Sequence, residues 1–109
     1  MSTKLPKPVA AYFAATNLHD IDAMLAPFDE TAIVRDEGQE RRGAAAIREW
    51  MEETTAKYRA TVAVTGVEQT DGKTIVTGRV AGSFPGSPVD LRYTVTLARG
   101  KISRLEIHP

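Results

Sequence analysis

Three segments in the first part of the chain carry apolar residues at helical spacing. The apolar face of residues 6–16 consists of Val9, Tyr12, Phe13 and Thr16. In the second segment, DIDAMLAPF, Asp20 is a favourable N-cap and Pro27 limits the helix to about two turns. The apolar face of residues 43–59 consists of Ile47, Trp50, Met51, Thr54 and Tyr58. Residues repeated at i, i+3, i+4 and i+7 line one side of a helix, so the pattern predicts three helices.

Alternation of apolar and polar residues predicts strands in the remaining segments. A short strand is expected at residues 32–37, before the third helix. Two longer strands, TVAVTGVEQT and KTIVTGRVAGSF, flank Asp71 and Gly72, a pair that favours a tight hairpin. The apolar phase of the first of these strands changes at Gly66, which predicts a β-bulge there.

The last part of the chain predicts a further turn and two more strands. Pro85 and Gly86 suit the central positions of a type II turn. The strand VDLRYTVTL alternates throughout, and its inward residues are expected to be Val89, Leu91, Tyr93, Val95 and Leu97. The turn ARGK leads into a final strand at residues 102–107. Three helices, one early strand and a four-stranded meander together predict an α+β fold.

Composition narrows the range of possible functions. The 109 residues are enough for one domain with a hydrophobic core. Lys plus Arg and Asp plus Glu both number 14, so no net charge favours nucleic acid or a membrane as partner. The chain has no cysteine, which removes disulfides and thiolate chemistry. We see no secretory h-region and no apolar run of the roughly 20 residues that a membrane span needs, and we expect a cytoplasmic protein.

One carboxylate interrupts an apolar strand face. Asp36 has the same strand parity as Ala32 and Val34, so its side chain is expected on their side of the sheet. It is either the solvated last residue of a strand, beside the polar turn at Gly38, or an acid that faces a pocket. Partial burial among aromatic side chains would raise the pKa of such a carboxylate toward the range in which a general base works.

The chain resembles the nuclear-transport-factor-2-like superfamily, which includes ketosteroid isomerases and SnoaL-like polyketide cyclases. The resemblance lies in five segments that occur in order over nearly the whole chain: AYFAATNLHDIDAMLAPF, IVRDEG, GAAAIREW, FPGSPV and GKISRLEI. It implies one domain over residues 1–109, in which helices wrap a curved mixed or antiparallel sheet into a cone with an internal pocket. This fold hosts isomerases, dehydratases, cyclases, hydrolases and binding proteins without activity, so the resemblance does not identify a reaction.

Two residues match the ketosteroid isomerase site by position. Tyr12 falls at the oxyanion-binding tyrosine and Asp36 at the carboxylate that moves the proton. In that family the oxyanion also binds a protonated aspartate. That second acid falls at about Tyr93 here, and the nearest carboxylate, Asp90, has the opposite strand parity. Met51 stands where the family has a supporting tyrosine, so half of the family's oxyanion machinery is absent or replaced.

The cone implies a pocket lined by apolar side chains, some of which also belong to the core. The expected substrate-binding residues are Phe28, Val34, Trp50, Met51, Phe84, Tyr93 and Val95. Two functions remain open. One is a cofactor-independent isomerase or lyase for a small apolar or weakly polar molecule, with Asp36 as base and Tyr12 as oxyanion donor. The other is a non-catalytic ligand-binding or structural module, in which Tyr12 is simply a core residue.

The sequence also bears on metals and on self-association. His19 and His108 are far apart and have no acidic cluster beside them, so we expect no metal site, and we expect His19 to be exposed. We expect no cofactor. A homodimer is expected through the outer face of the sheet, with Ile75 and Val67 in the contact.

Overall fold

The structure, a computed structural model, describes residues 5–109 and contains three helices and six strands in that range. The helices are α1 (Lys7–Leu18), α2 (Ile21–Leu25) and α3 (Ala44–Tyr58). The strands are β1 (Phe28–Asp36), β2 (Gln39–Arg42), β3 (Thr61–Thr70), β4 (Lys73–Ala81), β5 (Val89–Ala98) and β6 (Lys101–His108). The predicted α+β class is confirmed. Residues 1–4 of the predicted single domain lie outside the described residues.

All six strands belong to one curved, unclosed sheet in the order β2-β1-β6-β5-β4-β3. The first and last strands, β1 and β6, pair in parallel, and every other neighbouring pair is antiparallel. The register shifts in β1·β6, β3·β4 and β5·β6. Such irregularities bend strands and increase their twist, which is how a sheet of this length curves around a cavity.

The buried side chains of the strands lie on one face, which the helices cover. The residues on this inner face include Val34, Val76, Tyr93, Val95 and Leu105, whose side chains are each at most 5% exposed. The Asn17 side chain of α1 ties the helix layer to the sheet edge: its amide nitrogen donates to the Val62 carbonyl at 3.0 Å, and its oxygen accepts from the Val62 N–H at 2.7 Å. No helix within residues 5–109 is long and apolar enough to cross a membrane.

The second helix is shorter than its apolar stripe suggested. Asp20 caps it as predicted, accepting a hydrogen bond from the Ala23 N–H at 3.2 Å. The helix ends at Leu25, however, and Phe28 begins β1 instead of closing the helix. The Pro27 carbonyl accepts a hydrogen bond from the Ile102 N–H at 2.9 Å, so the backbone already joins β6 at this point. Pairing with a strand 75 residues away leaves no mark in the local pattern, which is why β1 was predicted to start only at residue 32.

The sequence analysis missed strand β2. Arg41 and Arg42 pair antiparallel with Val34 and Ile33 of β1. The chain reverses at Glu37 and Gly38, which both have a positive φ (53° and 75°). This strand lies at the sheet edge and is almost wholly exposed, so no alternation of apolar residues marks it. Its charged side chains also discourage edge-to-edge pairing with other chains.

The β-bulge predicted near Gly66 is confirmed, and it changes the orientation of Val67. The β3·β4 register shifts between Val64 and Gly66, after which Val67 pairs with Val76. Residues that pair directly across a ladder share a face of the sheet, and Val76 is fully buried on the inner face. The prediction that Val67 lies on the outer face is therefore wrong, because the extra residue of the bulge turns the Val67 side chain to the inner face.

Both predicted tight turns occur. Asp71 and Gly72 adopt the left-handed conformation that a two-residue hairpin requires, with φ of 48° and 74°. Gly86 has a φ of 84°, and the Ser87 N–H bonds to the Phe84 carbonyl at 3.3 Å, as in a type II turn. The second turn lies between β4 and β5, where it brings Phe84 to the cavity described next.

Candidate functional site

A cavity of about 690 Å³ lies on the inner face of the sheet, bordered by all three helices. Its walls are mainly apolar, including Met24, Val62, Val80, Val89, Leu91 and Ile107. Several polar side chains also border it, among them Tyr12 from α1, Asp36 from β1 and Tyr93 from β5, with others such as His19, Glu37 and Lys57. An apolar cavity of this size with a few convergent polar groups is typical of a small-molecule site.

The Asp36 side chain faces this cavity and is not a solvated strand end. Strand parity explains the orientation, because Asp36 pairs with Ile107 of β6, which pairs with Tyr93 of β5. The three side chains therefore share one row on the inner face. The indole Nε1–H of Trp50, on α3, donates a hydrogen bond to Asp36 Oδ2 at 3.0 Å. That bond fixes one carboxylate oxygen at the cavity wall.

Partial burial raises the pKa of Asp36 above the ordinary range for an aspartate. The hydrogen bond from Trp50 opposes this shift, and the neighbouring Glu37 carboxylate adds to it. The net effect is a carboxylate that holds a proton more readily than a solvated aspartate does. Such a group can accept a proton from a weak carbon acid and return it, as a general base must.

The Tyr12 phenol projects from α1 toward the same cavity. Its side chain is only 4% exposed. Phe13 and Phe28 pack edge-on against its ring, with centroids 5.2 and 5.5 Å away. Burial raises the pKa of Tyr12 far above its usual value, and the nearby Tyr93 and Asp36 add to the shift. The phenol therefore remains protonated and can donate a hydrogen bond into the cavity.

Of the seven predicted substrate-binding residues, three line the cavity: Trp50, Phe84 and Tyr93. The other four, Phe28, Val34, Met51 and Val95, are buried in the core and do not line it. Val34 lies two residues before Asp36 on β1, and Val95 lies two residues after Tyr93 on β5. Both pair with Leu105 of β6, which lies between them. Side chains fill the inner face there. Strand parity indicates the face of a residue, but it cannot tell an open section of that face from a packed one.

Several cavity residues were not predicted. Val89 and Leu91 share the inward phase of Tyr93, so the alternation in β5 contained the signal for them. His19 was expected to be exposed, but it is half-buried, lines the cavity and has its Nε2 2.9 Å from the Ala60 carbonyl oxygen. The left-handed turn that ends α1 at His19 (φ 55°) causes this placement, and the local sequence pattern did not predict that turn.

The rim of the cavity carries aromatic and charged side chains. The Tyr58 hydroxyl donates to Glu37 Oε1 at 3.2 Å, and the Tyr58 ring packs edge-on against Phe84 with centroids 5.8 Å apart. A smaller cavity of about 200 Å³ adjoins Asp36 on this side and is lined mostly by polar residues, including Gln39, Arg41, Glu53 and Lys57. Asp36 and Trp50 border both cavities. The carboxylate therefore lies between an apolar chamber and a polar crevice.

Residues 5–109 contain no group of three or more His, Asp or Glu side chains that could hold a metal ion. His19 borders the main cavity and His108 lies at the end of β6. Among the cavity side chains, Asp36 can transfer a proton and the phenols of Tyr12 and Tyr93 can donate hydrogen bonds.

Comparison with known proteins agrees with this architecture. The family model described as the SnoaL-like domain matches residues 9–105. A candidate polyketide cyclase from Sinorhizobium meliloti is 36% identical over 95% of both chains, with a TM-score of 0.92. An epoxide hydrolase/cyclase-like enzyme of pyran ring formation in the polyether salinomycin is 26% identical, with a TM-score of 0.80 over 94% of this chain and 87% of that one.

A more distant structure shows the same fold. A protein of ketosteroid isomerase-like fold from Catenulispora acidiphila, crystallised with trimethylamine, is 18% identical, with a TM-score of 0.84 over 97% of this chain and 87% of that one. No protein with a curated function matches the chain. The expected nuclear-transport-factor-2-like architecture is confirmed, and the chain belongs to the SnoaL-like domain family.

Proposed function

We propose that this protein is a cofactor-independent enzyme of the isomerase or cyclase type that acts on a small, mainly apolar carbonyl compound. In this proposal Asp36 is the proton-transfer base and Tyr12 donates a hydrogen bond to the oxygen that becomes negative. The observation that carries the proposal is the meeting of one raised-pKa carboxylate and a buried phenol in an apolar cavity of about 690 Å³.

The reaction follows from the chemistry of the two groups. Asp36 accepts a proton from the carbon next to the substrate carbonyl, and the electrons of that C–H bond form an enolate. Tyr12 donates a hydrogen bond to the enolate oxygen, where a preorganised donor in a dry site lowers the barrier. Protonated Asp36 then returns the proton to a carbon of the same molecule. Alternatively, the enolate carbon attacks a second carbonyl carbon of the same molecule to close a ring, the π electrons of that C=O bond move to its oxygen, and the resulting alkoxide takes the proton from Asp36. Neither route requires an oxidant or a reductant.

Two further observations support an enzyme over a non-catalytic module. A module that kept only the fold would tolerate a cavity filled by Trp50 and Met51. Met51 is instead fully buried in the core, and Trp50 contributes its indole N–H to Asp36 at the cavity wall. Several similar structures are named as polyketide cyclase candidates, and one is named as an epoxide hydrolase/cyclase-like enzyme.

Deuterium exchange tests the proposed base with simple carbonyl compounds in place of the natural substrate. A panel of small apolar ketones and β-keto esters is incubated with the protein in D₂O, and the loss of the α-proton signal is followed by NMR. We expect exchange to be accelerated by the wild type and abolished by Asp36→Asn, which is nearly isosteric and can still accept the Trp50 hydrogen bond. Tyr12→Phe should slow exchange by about 10²–10³, the usual cost of losing one oxyanion donor.

The control is Asp90→Asn, which also neutralises one carboxylate on the sheet. Asp90 faces away from the cavity and pairs with Arg79 on the surface at 3.3 Å. Exchange unchanged by Asp36→Asn, or reduced equally by Asp90→Asn, would reject Asp36 as the base. Native mass spectrometry of the protein as expressed would then show whether a small molecule still binds, as the non-catalytic alternative requires.

We further propose that the protein acts as a homodimer that pairs through the outer face of the sheet. The helices cover only the inner face, and Ile75 on the opposite face is half-buried within a single chain. Thr77 and Thr94 flank it, so the surface is mixed and not wholly apolar. With Val67 assigned to the inner face, Ile75 is the apolar residue on which this proposal depends.

A further inference from the structure

Two phenols, and not one, project into the cavity beside Asp36. Tyr93 lines the cavity together with Tyr12, and both side chains are almost fully buried, at 5% and 4% exposure. Within residues 5–109 the Tyr93 hydroxyl makes no hydrogen bond. Every polar side-chain atom in that range that is fully buried does have a hydrogen-bond partner, so the Tyr93 hydroxyl is not fully buried. The Tyr93 hydroxyl therefore reaches the open space of the cavity.

The sheet register sets the distance between Tyr93 and the base. Tyr93 and Asp36 flank Ile107 in one row of the inner face, with a single strand between them. Two interstrand spacings amount to about 10 Å between their backbones. Side chains that project from both ends of this interval leave room for a carbonyl group and its α-carbon between carboxylate and phenol.

Packing holds both phenols in fixed positions. Phe13 contacts the two rings at once, edge-on, with centroids 5.2 Å from Tyr12 and 5.0 Å from Tyr93. Gly78 on the neighbouring strand makes room for Tyr93, since a Cβ there would lie 3.3 Å from Tyr93 Cε1. A donor that is immobilised before the substrate arrives needs no reorganisation when negative charge develops, which is the condition for strong oxyanion stabilisation.

We infer that Tyr93 is a second catalytic donor, and that it and Tyr12 form a two-phenol site for the negative oxygen of an enolate. The inference rests on the proposed function, because it names the group that shares the oxyanion with Tyr12. Asp90 cannot take this role, because it lies on the outer face in an ion pair with Arg79. The substrate class is therefore a ketone or ester whose carbonyl oxygen can accept two hydrogen bonds while its α-carbon faces Asp36.

The ionisation of the phenols suits this role. Burial raises the pKa of Tyr93 far above its usual value, and the Asp36 carboxylate raises it further. Both phenols thus keep their protons when Asp36 is ionised, and both donate. During proton abstraction the C–H electron pair moves into the enolate, its charge rests on oxygen between the two O–H groups, and the proton resides on Asp36.

A phenolate ligand tests the site without any turnover. The probe is 4-nitrophenol, whose ionised form absorbs visible light and carries the negative oxygen of an enolate. Binding is measured in the Asp36→Asn background, which represents the protonated base and removes the charge that would repel the ligand. We expect the bound probe to be ionised, and we expect Tyr93→Phe to weaken binding about 10–100-fold, because a hydrogen bond to a charged group contributes roughly 1.5–3 kcal/mol. Tyr12→Phe should weaken it by a similar factor.

Tyr58→Phe is the matched control. It deletes the same hydroxyl from the remaining tyrosine, which also borders the cavity but donates to Glu37 at the rim. We expect binding of 4-nitrophenol to change less than twofold. Near-ultraviolet circular dichroism of each variant verifies that the aromatic packing around Phe13 is retained. If a variant loses this packing, the hydroxyl is removed from the ligand instead, by comparing the binding of 4-nitrophenol with that of nitrobenzene, which lacks the hydroxyl.

The outcomes separate the two proposals. If Tyr93→Phe behaves like Tyr58→Phe while Tyr12→Phe weakens binding, Tyr93 is not a donor, and the proposed function stands with a single phenol. If 4-nitrophenol binds no more tightly than nitrobenzene, the cavity has no oxyanion site and both proposals fail. If phenolate binding depends on both phenols but no ketone undergoes exchange, the two-phenol site is upheld and the proposed base is rejected.

Discussion

Gly78→Ala tests whether the shape of the inner face, and not only its composition, positions the candidate site. Gly78 lies on β4 between Val64 of β3 and Leu91 of β5. A Cβ at position 78 would lie 2.7 Å from Val62 Cγ1 and 3.3 Å from Tyr93 Cε1. Carbon atoms in contact prefer about 3.5–4.0 Å, so the new methyl must displace the Val62 side chain by roughly 1 Å.

The displaced groups cannot yield easily. Val62 is β-branched and 7% exposed, so its side chain has restricted rotamers and little space around it. Overpacking of this kind costs typically about 1–3 kcal/mol. Replacing glycine by alanine returns about 0.5–1 kcal/mol through lower entropy of the unfolded chain. We therefore expect the free energy of unfolding of Gly78→Ala to fall by up to about 2 kcal/mol.

Gly66→Ala is the matched control on the adjacent strand. Gly66 also lies in the sheet, but a Cβ there would meet only the Thr77 side chain, at 3.8 Å or more, which is ordinary contact. Its stability should stay the same or rise slightly. Urea unfolding followed by the fluorescence of Trp50, the single tryptophan, compares the two variants at one fixed protein concentration, since dimerisation would make stability depend on it.

The same variant should impair the site, because the methyl group presses on the Tyr93 ring. We expect binding of 4-nitrophenol in the Asp36→Asn background to weaken several-fold in Gly78→Ala and to remain unchanged in Gly66→Ala. Equal stabilities and equal affinities for the two variants would refute the reasoning, since they would mean that the inner face accommodates a methyl group beside Tyr93 without cost.

Three further predictions concern other parts of the molecule. Burial raises the pKa of Asp36, so the folded protein binds the Asp36 proton more tightly than the unfolded chain does, and the stability that this proton contributes is lost as pH rises from about 4 through the raised pKa. In urea unfolding, Asp36→Asn should therefore gain stability relative to wild type over that pH interval. Parallel pH profiles for the two proteins would contradict this. Asn17→Ala removes both hydrogen bonds to the Val62 backbone and should destabilise the protein by about 1–3 kcal/mol in chemical denaturation, whereas Leu18→Ala, at a position 76% exposed, should change it by less than about 0.5 kcal/mol. Ile75→Asp should convert the proposed homodimer to a monomer in sedimentation equilibrium, and a wild-type protein that is monomeric across micromolar concentrations would reject the dimer.

Local pattern was sufficient for most of the fold. Apolar spacing located α1 and α3 to within two residues, and turn chemistry located the hairpin at Asp71 and Gly72. These signals are local because a helix face or a tight turn is decided by residues a few positions apart. The inward orientation of Asp36 is of the same kind, since strand parity needs only the neighbours Ala32 and Val34.

Features that depend on pairing between distant segments could not be predicted from the sequence. Strand β2 has no apolar phase, because it is an exposed edge that exists only through its hydrogen bonds to β1. The true start of β1 at Phe28 depends on pairing with Ile102. The side of Val67 depends on where the bulge places the extra residue, which the sequence indicated only as a change of phase near Gly66.

The candidate site divides in the same way. The sequence determined which side chains face inward, including Asp36, Tyr12 and Tyr93, because each follows the periodicity of its own element. Only the tertiary structure decided where the inward face is open. It packs Val34 and Val95 with side chains, leaves the row of Asp36 and Tyr93 facing a cavity, and brings the Trp50 indole from another element to within 3.0 Å of the carboxylate. The physical reason is that periodicity sets direction within one element, whereas a cavity is the space that remains between several elements once the curvature of the sheet has been set.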